Sequence, residues 1–445
     1  MSSDTMQSDS LQRNGSPVAP NSSHDPDAAV YRKVTLRLLP LLVVCYIVAY
    51  LDRVNVSFAK LQMVTDLGFS DLVYGTGAGL FFIGYFFFEV PSNIILHRVG
   101  ARVWIARIMI TWGLISGCMM FVTDVTGFYL LRFALGLAEA GFFPGIILYL
   151  TYWYPAQRRG RIVSLFMLGI PLAGLLGGPF SGWIMRSFDQ LMGWHGWQWM
   201  FLIEAIPSIL MGLVVLRYLD DRVADATWLE EDERTRLQDN IAQDEISKVH
   251  VPVLQVLKSG RVWVLSFIYF SVGMGFNAIV FWLPTIIKGM GVTDTFEVGL
   301  LSAIPWLATF VPMIIVSRRA DRKRERRWHF VVPVLVGAAG LSCSVLLANN
   351  NTLAFAALTI ACAGMMTAYP LFWSLPTAFL AGSGAAAGIA AINSLGNLAG
   401  FVSPYVIGWL KQTTHSMDIG MYLLTGILIL GALVTLSIPA KLVNR

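Results

Sequence analysis

Twelve stretches of about twenty mostly apolar residues dominate this chain, and each is long enough to cross the hydrocarbon core of a bilayer as a helix. Six fall near 36–59, 72–96, 104–122, 127–150, 162–185 and 197–217. Six more fall near 262–287, 296–316, 328–348, 353–380, 385–410 and 419–440. Between the two sets lies the single long hydrophilic interior segment, 218–260, with Glu230, Glu231, Asp232 and Glu233. The pattern predicts an all-α integral membrane protein of twelve transmembrane helices in two six-helix halves. Composition agrees, because 56% of the residues are apolar and only 13% charged, too little charge for a water-facing surface. The expected organisation is a disordered cytoplasmic tail over 1–30, a first bundle over 31–217, a cytoplasmic linker over 218–260 and a second bundle over 261–445. The tail is polar and lacks the apolar core of a secretory signal.

Basic residues orient the spans. With the N-terminus in the cytoplasm, the short inside segments hold eighteen Lys and Arg, while the outside loops hold only Lys60, Arg186, Lys288 and Lys411. This asymmetry sets both termini and the linker inside. It also accounts for the net charge of +5 without nucleic-acid binding. A basic loop follows the second span of each half: His97-Arg98-Val99-Gly100-Ala101-Arg102 in the first, and a run opening with Asp321-Arg322 in the second. These loops make Arg98, Gly100, Arg102, Asp321 and Arg322 gating or structural residues. The four cysteines, Cys45, Cys118, Cys343 and Cys362, each stand alone in an apolar run, without metal-ligand or redox spacing. No nucleophile constellation, metal cluster or cofactor motif is present in the sequence, so the chain reads as a transporter and not an enzyme.

Ionisable side chains inside a span are costly and mark function. Here they are Asp52, Arg53, Glu89, Arg132, Glu139 and Glu204, all in the first half. At about 1.5 Å per residue, Asp52 and Arg53 lie roughly 10 Å below the outer end of the first span, with Arg132 roughly 8 Å and Glu139 roughly 18 Å into the fourth. The four therefore share one band of the membrane. Arg132, Gly136 and Glu139 fall on one helix face, with Gly136 leaving room for a ligand or another backbone, and Pro144 is expected to kink the span. A guanidinium forks onto carboxylates, so Arg53 and Arg132 are expected to hold an anionic substrate. Asp52 and Glu139, in Asp52–Arg53 and Arg132–Glu139 pairs, are expected to take up and release protons. The alternative is that these pairs only pin helices together. Glu89, followed by Pro91 and Asn93, is expected to help close a cytoplasmic gate, and Glu204 to be structural. Tyr50, Tyr85, Asn277, Asn393 and Asn397 are the neutral groups placed to meet a substrate, although the amides serve equally well as hydrogen bonds between helices.

Three motifs resemble the anion:cation symporter branch of the major facilitator superfamily. They are Tyr50-Leu51-Asp52-Arg53-Val54-Asn55, the run Glu89-Val90-Pro91-Ser92-Asn93 leading into the first basic loop, and Arg132-Phe133-Ala134-Leu135-Gly136-Leu137-Ala138-Glu139-Ala140-Gly141-Phe142-Phe143-Pro144. Trp199-Met200-Phe201-Leu202-Ile203-Glu204 fits too. The resemblance implies alternating access by rocking of two halves, proton-driven uptake of a small organic anion, no cofactor and a monomer in a bacterial inner membrane. In galactonate-type members it implies protonation at positions matching Asp52 and Glu139. It further implies that arginines matching Arg53 and Arg132 pair with those protonation sites or meet the substrate carboxylate, and that matches to Tyr50, Tyr85 and Asn393 line the pocket. The glutamine expected in the fifth span of such members is missing near Ile170-Pro171. Gly169-Ile170-Pro171-Leu172-Ala173-Gly174 and Phe281-Trp282-Leu283-Pro284-Thr285-Ile286 look more like tartrate or hydroxyphenylacetate transporters. A hydroxy acid such as tartrate or a sugar acid is the expected cargo, with an aromatic carboxylate, or proton-independent exchange or uniport, as alternatives.

Overall fold

A computed structural model describes residues 27–245, 258–379 and 385–443. Most of the expected tail and part of the linker lie outside the described residues. Ala28, expected in the tail, already belongs to the first helix, Ala28–Val54.

Helices are the only regular elements among the described residues. Eleven are long and apolar enough to cross a membrane: Ala28–Asp66, Asp71–Val99, Ala101–Phe121, Val125–Thr151, Gln157–Ser187, Gly196–Tyr218, Gly260–Gly289, Thr295–Ala320, Arg327–Leu346, Asn351–Pro376 and Asp418–Ser437. In chain order these are spans one to ten and twelve. The eleventh is two shorter helices in succession, Ala385–Asn397 and Ala399–Thr414, which pack on the second and seventh spans.

Helix starts follow a simple rule. The second, fourth, sixth, eighth and tenth spans all begin at the end remote from the basic loops, and each opens on a polar side chain. Ser70, Asp124 and Asn350 accept hydrogen bonds from Val73, Gly127 and Leu353 N–H. Asp294 accepts from Glu297 N–H, and His195 forms a reciprocal cap with Gln198. Such caps satisfy amides that would otherwise point, unpaired, out of the helix end.

The fourth span is broken rather than gently kinked. Its first helix ends at Glu139, Gly141 adopts φ +87°, and a second helix runs Phe142–Thr151. Pro144 explains the position, because its ring collides with the carbonyl four residues back, at Ala140, and supplies no N–H to it. The break therefore falls beside Glu139 and not at the proline itself.

At the end remote from the basic loops, the two halves are pressed together backbone to backbone. A Cβ on Gly75 would lie 2.3 Å from Pro404 O, one on Gly182 2.3 Å from Thr295 O, and one on Gly299 2.2 Å from Gly178 O. Only glycine permits such approach. Polar contacts close the same layer. Asp71 Oδ1 bridges Lys60 Nζ at 2.7 Å and Lys411 Nζ at 3.2 Å, and Lys60 lies 3.6 Å from the Trp282 ring centre. Tyr74 O–H donates to Phe281 O at 2.7 Å and Lys288 Nζ to Leu61 O at 2.6 Å.

At the opposite end, the linker helix Glu231–Glu245 docks on the first half through Lys33–Glu233 at 2.7 Å and Asn240–Asp27 at 2.9 Å. The hydrogen bond from Lys33 holds the Glu233 carboxyl below its usual range. Gly100, with φ +99°, lets Asp221 sit against the first basic loop, where Asp221 Oδ1 accepts from Arg102 N–H at 2.8 Å. Arg98 and Arg322 are exposed. Asp321 lies on a helix, but its side chain is outside the described residues.

Candidate functional site

A cavity of about 620 Å³, open space at its rim included, lies between the halves. Span one contributes Tyr46, Tyr50 and Arg53, and span two Phe81, Phe82 and Tyr85. The second half faces them with Tyr269 and Phe276 from span seven, Tyr369 and Trp373 from span ten, and Asn393 and Asn397 from span eleven. Of the four ionisable residues expected to share this space, only Arg53 lines it.

Arg53 is held from two sides. Its Nη2 pairs with Glu139 Oε1, which the break in span four leaves at a helix end. The guanidinium also sits 5.2–5.8 Å from the ring centres of Phe81, Tyr85 and Tyr50, where the negative ring faces attract a cation. Glu139 is fully buried. Glu139 Oε2 and Arg53 Nε are buried without a hydrogen-bond partner among the described residues. The site thus contains one cation, one carboxylate and unmet hydrogen-bonding capacity on both.

Two expected pairings are replaced. Asp52 does not pair with Arg53, because neighbours on a helix point about 100° apart. Its carboxylate turns into the first half, where it accepts from Trp112 Nε1 at 2.9 Å, Ser116 Oγ at 3.0 Å and the Ser208 hydroxyl. Arg132 does not pair with Glu139. Its Nε donates to Gly77 O at 3.2 Å and its Nη2 to Ala78 O at 3.3 Å, while Nη1 is buried without a partner among the described residues. Gly136 makes room for a backbone and not a ligand, since a Cβ there would lie 1.8 Å from Phe81 O.

The neutral residues divide similarly. Tyr50, Tyr85, Asn393 and Asn397 line the cavity. Asn277 does not, and its Nδ2 donates to Gly273 O on its own helix. Glu89 lies toward the basic loops and crosses between the halves, accepting from Asn393 Nδ2 and Ser394 Oγ, both at 3.1 Å. Glu204 accepts from Ser181 Oγ at 2.6 Å, buried inside the first half. Sequence reasoning did not single out Tyr46, Tyr269, Phe276 and Tyr369, which also line the cavity. The mid-span tyrosines were the available signal, because a phenol needs a polar partner that lipid does not offer.

The family model described as Major Facilitator Superfamily matches residues 42–404. The chain belongs to that superfamily. As a superfamily member it is a multi-pass membrane transporter and not an enzyme. It is 50% identical over 421 residues to "Putative metabolite transport protein NicT" of Pseudomonas putida, covering 94% of this chain and 96% of the relative. It is 49% identical over 416 residues to an Agrobacterium vitis protein named "Putative tartrate transporter", covering 93% and 92%. Among solved structures, the xylose transporter XylE of Escherichia coli in its inward open conformation superposes with a TM-score of 0.73 at 15% identity, covering 92% of this chain and 96% of XylE. That likeness is one of fold alone.

Proposed function

We propose that this superfamily member is a proton-coupled symporter that imports a small organic carboxylate across the bacterial inner membrane, working as a monomer without a cofactor. The observation that carries the reading is the Arg53–Glu139 pair at the cavity wall. A substrate carboxylate and Glu139 compete for one guanidinium. When the substrate takes Arg53, Glu139 loses its counter-charge in a buried site, a state that costs several kcal/mol, and it takes up a proton. Anion binding and protonation are then linked through Arg53. Asp52, held behind the wall by Trp112, Ser116 and Ser208, is a second protonation site without direct access to the cavity. Arg132 supports the site electrostatically from the backbone of span two.

The basic-residue asymmetry supports cytoplasmic termini, which makes the sealed end the outer one and this conformation inward-facing. The Glu89–Asn393–Ser394 bridge is then a thin inner closure. The bundles 31–217 and 261–445 rock around the cavity, with the linker 218–260 tethering them. The Agrobacterium relative's name supports a hydroxy acid as cargo, whereas the rings around the cavity support an aromatic acid.

Uptake into proteoliposomes with an imposed inward proton gradient tests the proposal. Accumulation of a carboxylate that disappears when an ionophore collapses the gradient is the expected result. Entry at a rate indifferent to the gradient would make the protein a uniporter or exchanger.

A further inference from the structure

We infer that the cavity selects a flat, ring-bearing monocarboxylate, an aromatic or heteroaromatic acid, over a hydroxy diacid. The inference rests on the reading that the protein carries carboxylates and goes further, to which kind.

Charge sets the first limit. Arg53 is the only charged side chain among the fifteen that line the cavity. A hydroxy diacid would bring two carboxylates and at least one hydroxyl into a space with one cation. The other deep guanidinium, Arg132, is committed to the carbonyls of Gly77 and Ala78 and is absent from the lining. The second carboxylate would be buried without a counter-charge, which is expensive. One carboxylate per ligand fits the one guanidinium.

Shape and polarity set the second limit. Ten of the fifteen lining residues are aromatic. Across the cavity from Arg53, the rings of the second half form a connected group. Tyr269 lies 5.2 Å from Tyr369 and 5.0 Å from Trp373, and Phe276 lies 5.0 Å from Tyr369, centre to centre. These separations are those at which rings attract edge to face or offset. A further flat ring extends such a group, whereas a chain of hydroxyls set against it would lose hydrogen bonds to water without replacement. Polar capacity at this wall sits at the ring edges and the two asparagines of span eleven. Tyr269 O–H donates to Tyr369 O at 2.7 Å, which leaves the Tyr369 hydrogen to donate to a ring substituent. The Asn397 amide, also on the lining, offers one more donor and acceptor. The ligand that matches has a carboxylate at one end, a ring in the middle and a single polar substituent at the far end.

The test uses the purified full-length protein and three probes: 4-hydroxybenzoate, trans-4-hydroxycyclohexanecarboxylate and L-tartrate. trans-4-Hydroxycyclohexanecarboxylate keeps the charge, the far-end hydroxyl and the approximate size but removes the aromatic face. Protection against thermal unfolding and uptake into proteoliposomes are read for each. The expected result is that 4-hydroxybenzoate acts at about tenfold lower concentration than trans-4-hydroxycyclohexanecarboxylate, the scale of a ring-on-ring preference, and that tartrate does not act. Trp373→Leu and Tyr369→Phe narrow that gap, and Arg53→Lys weakens both monocarboxylates together. If tartrate binds in an Arg53-dependent way and 4-hydroxybenzoate does not, ring selection is wrong while the carboxylate reading stands. Equal action of the two monocarboxylates in the wild-type protein overturns ring selection as well. If none of the acids acts, the carboxylate reading falls and takes this inference with it.

Discussion

Arg53 and Asp52 are sequence neighbours with opposite surroundings, and the difference decides what each substitution should do. Arg53 faces the cavity, with Glu139 and three rings around it. A lysine there keeps the charge but loses the planar fork and the stacking. Arg53→Lys should weaken substrate binding by roughly 10- to 100-fold, the loss expected from one charge-assisted hydrogen bond, measured as KM in counterflow. Asp52 instead holds together the Trp112, Ser116 and Ser208 donors of three different residues on two helices. Asp52→Ala leaves buried donors unmet, at about 1–3 kcal/mol for each, and should lower the melting temperature of the detergent-solubilised protein. Asp52→Asn keeps one of the two acceptor oxygens and should melt closer to wild type. Equal stability of Asp52→Ala and wild type would show that the network contributes nothing to the fold.

Two elements carry the mechanics. The break in span four places Glu139 at the end of a helix, and Gly141 makes it possible. A Cβ at Gly141 would lie 2.2 Å from Ser92 Oγ on span two, and φ +87° strains any side-chain-bearing residue. Gly141→Val should destabilise the protein by about 1–3 kcal/mol and lose transport, visible as a lower melting temperature and reduced uptake. At the sealed end, Asp71 holds Lys60 of its own half and Lys411 of the other. Asp71→Asn removes the anion and leaves two facing lysines, which repel. Spin labels at Leu191 and Thr413, one on each half, should then report a longer mean distance than in wild type. An unchanged distribution would assign closure to the glycine contacts alone.

For the whole molecule, hydropathy made most of the helical architecture legible in the sequence. Apolar runs of bilayer length are a one-dimensional signal, and so is a basic loop. The buried charges were legible for the same reason, because each stands out against an apolar run. Their pairing was not legible. It depends on the rotational phase of each helix and on which backbone lies opposite, so Arg132 found two carbonyls and Arg53 took the carboxylate expected for Arg132. The break in span four was legible only as Pro144, not as the Ala140–Gly141 turn that the proline imposes four residues earlier. The aromatic wall escaped because a ring facing lipid and a ring facing a cavity look alike in sequence.

Competition between substrate and Glu139 for Arg53 is the centre of this account. Its most direct measurement is the pH inside proteoliposomes, read with an entrapped dye when a transported carboxylate is added outside without any imposed gradient. Wild-type protein should acidify the interior as the anion enters, because each carboxylate that takes Arg53 obliges Glu139 to carry a proton. Glu139→Gln should exchange labelled for unlabelled substrate yet leave the interior pH unchanged. Acidification by Glu139→Gln at the wild-type rate would contradict the account, since protons would then enter by a route that does not involve the Arg53 partner.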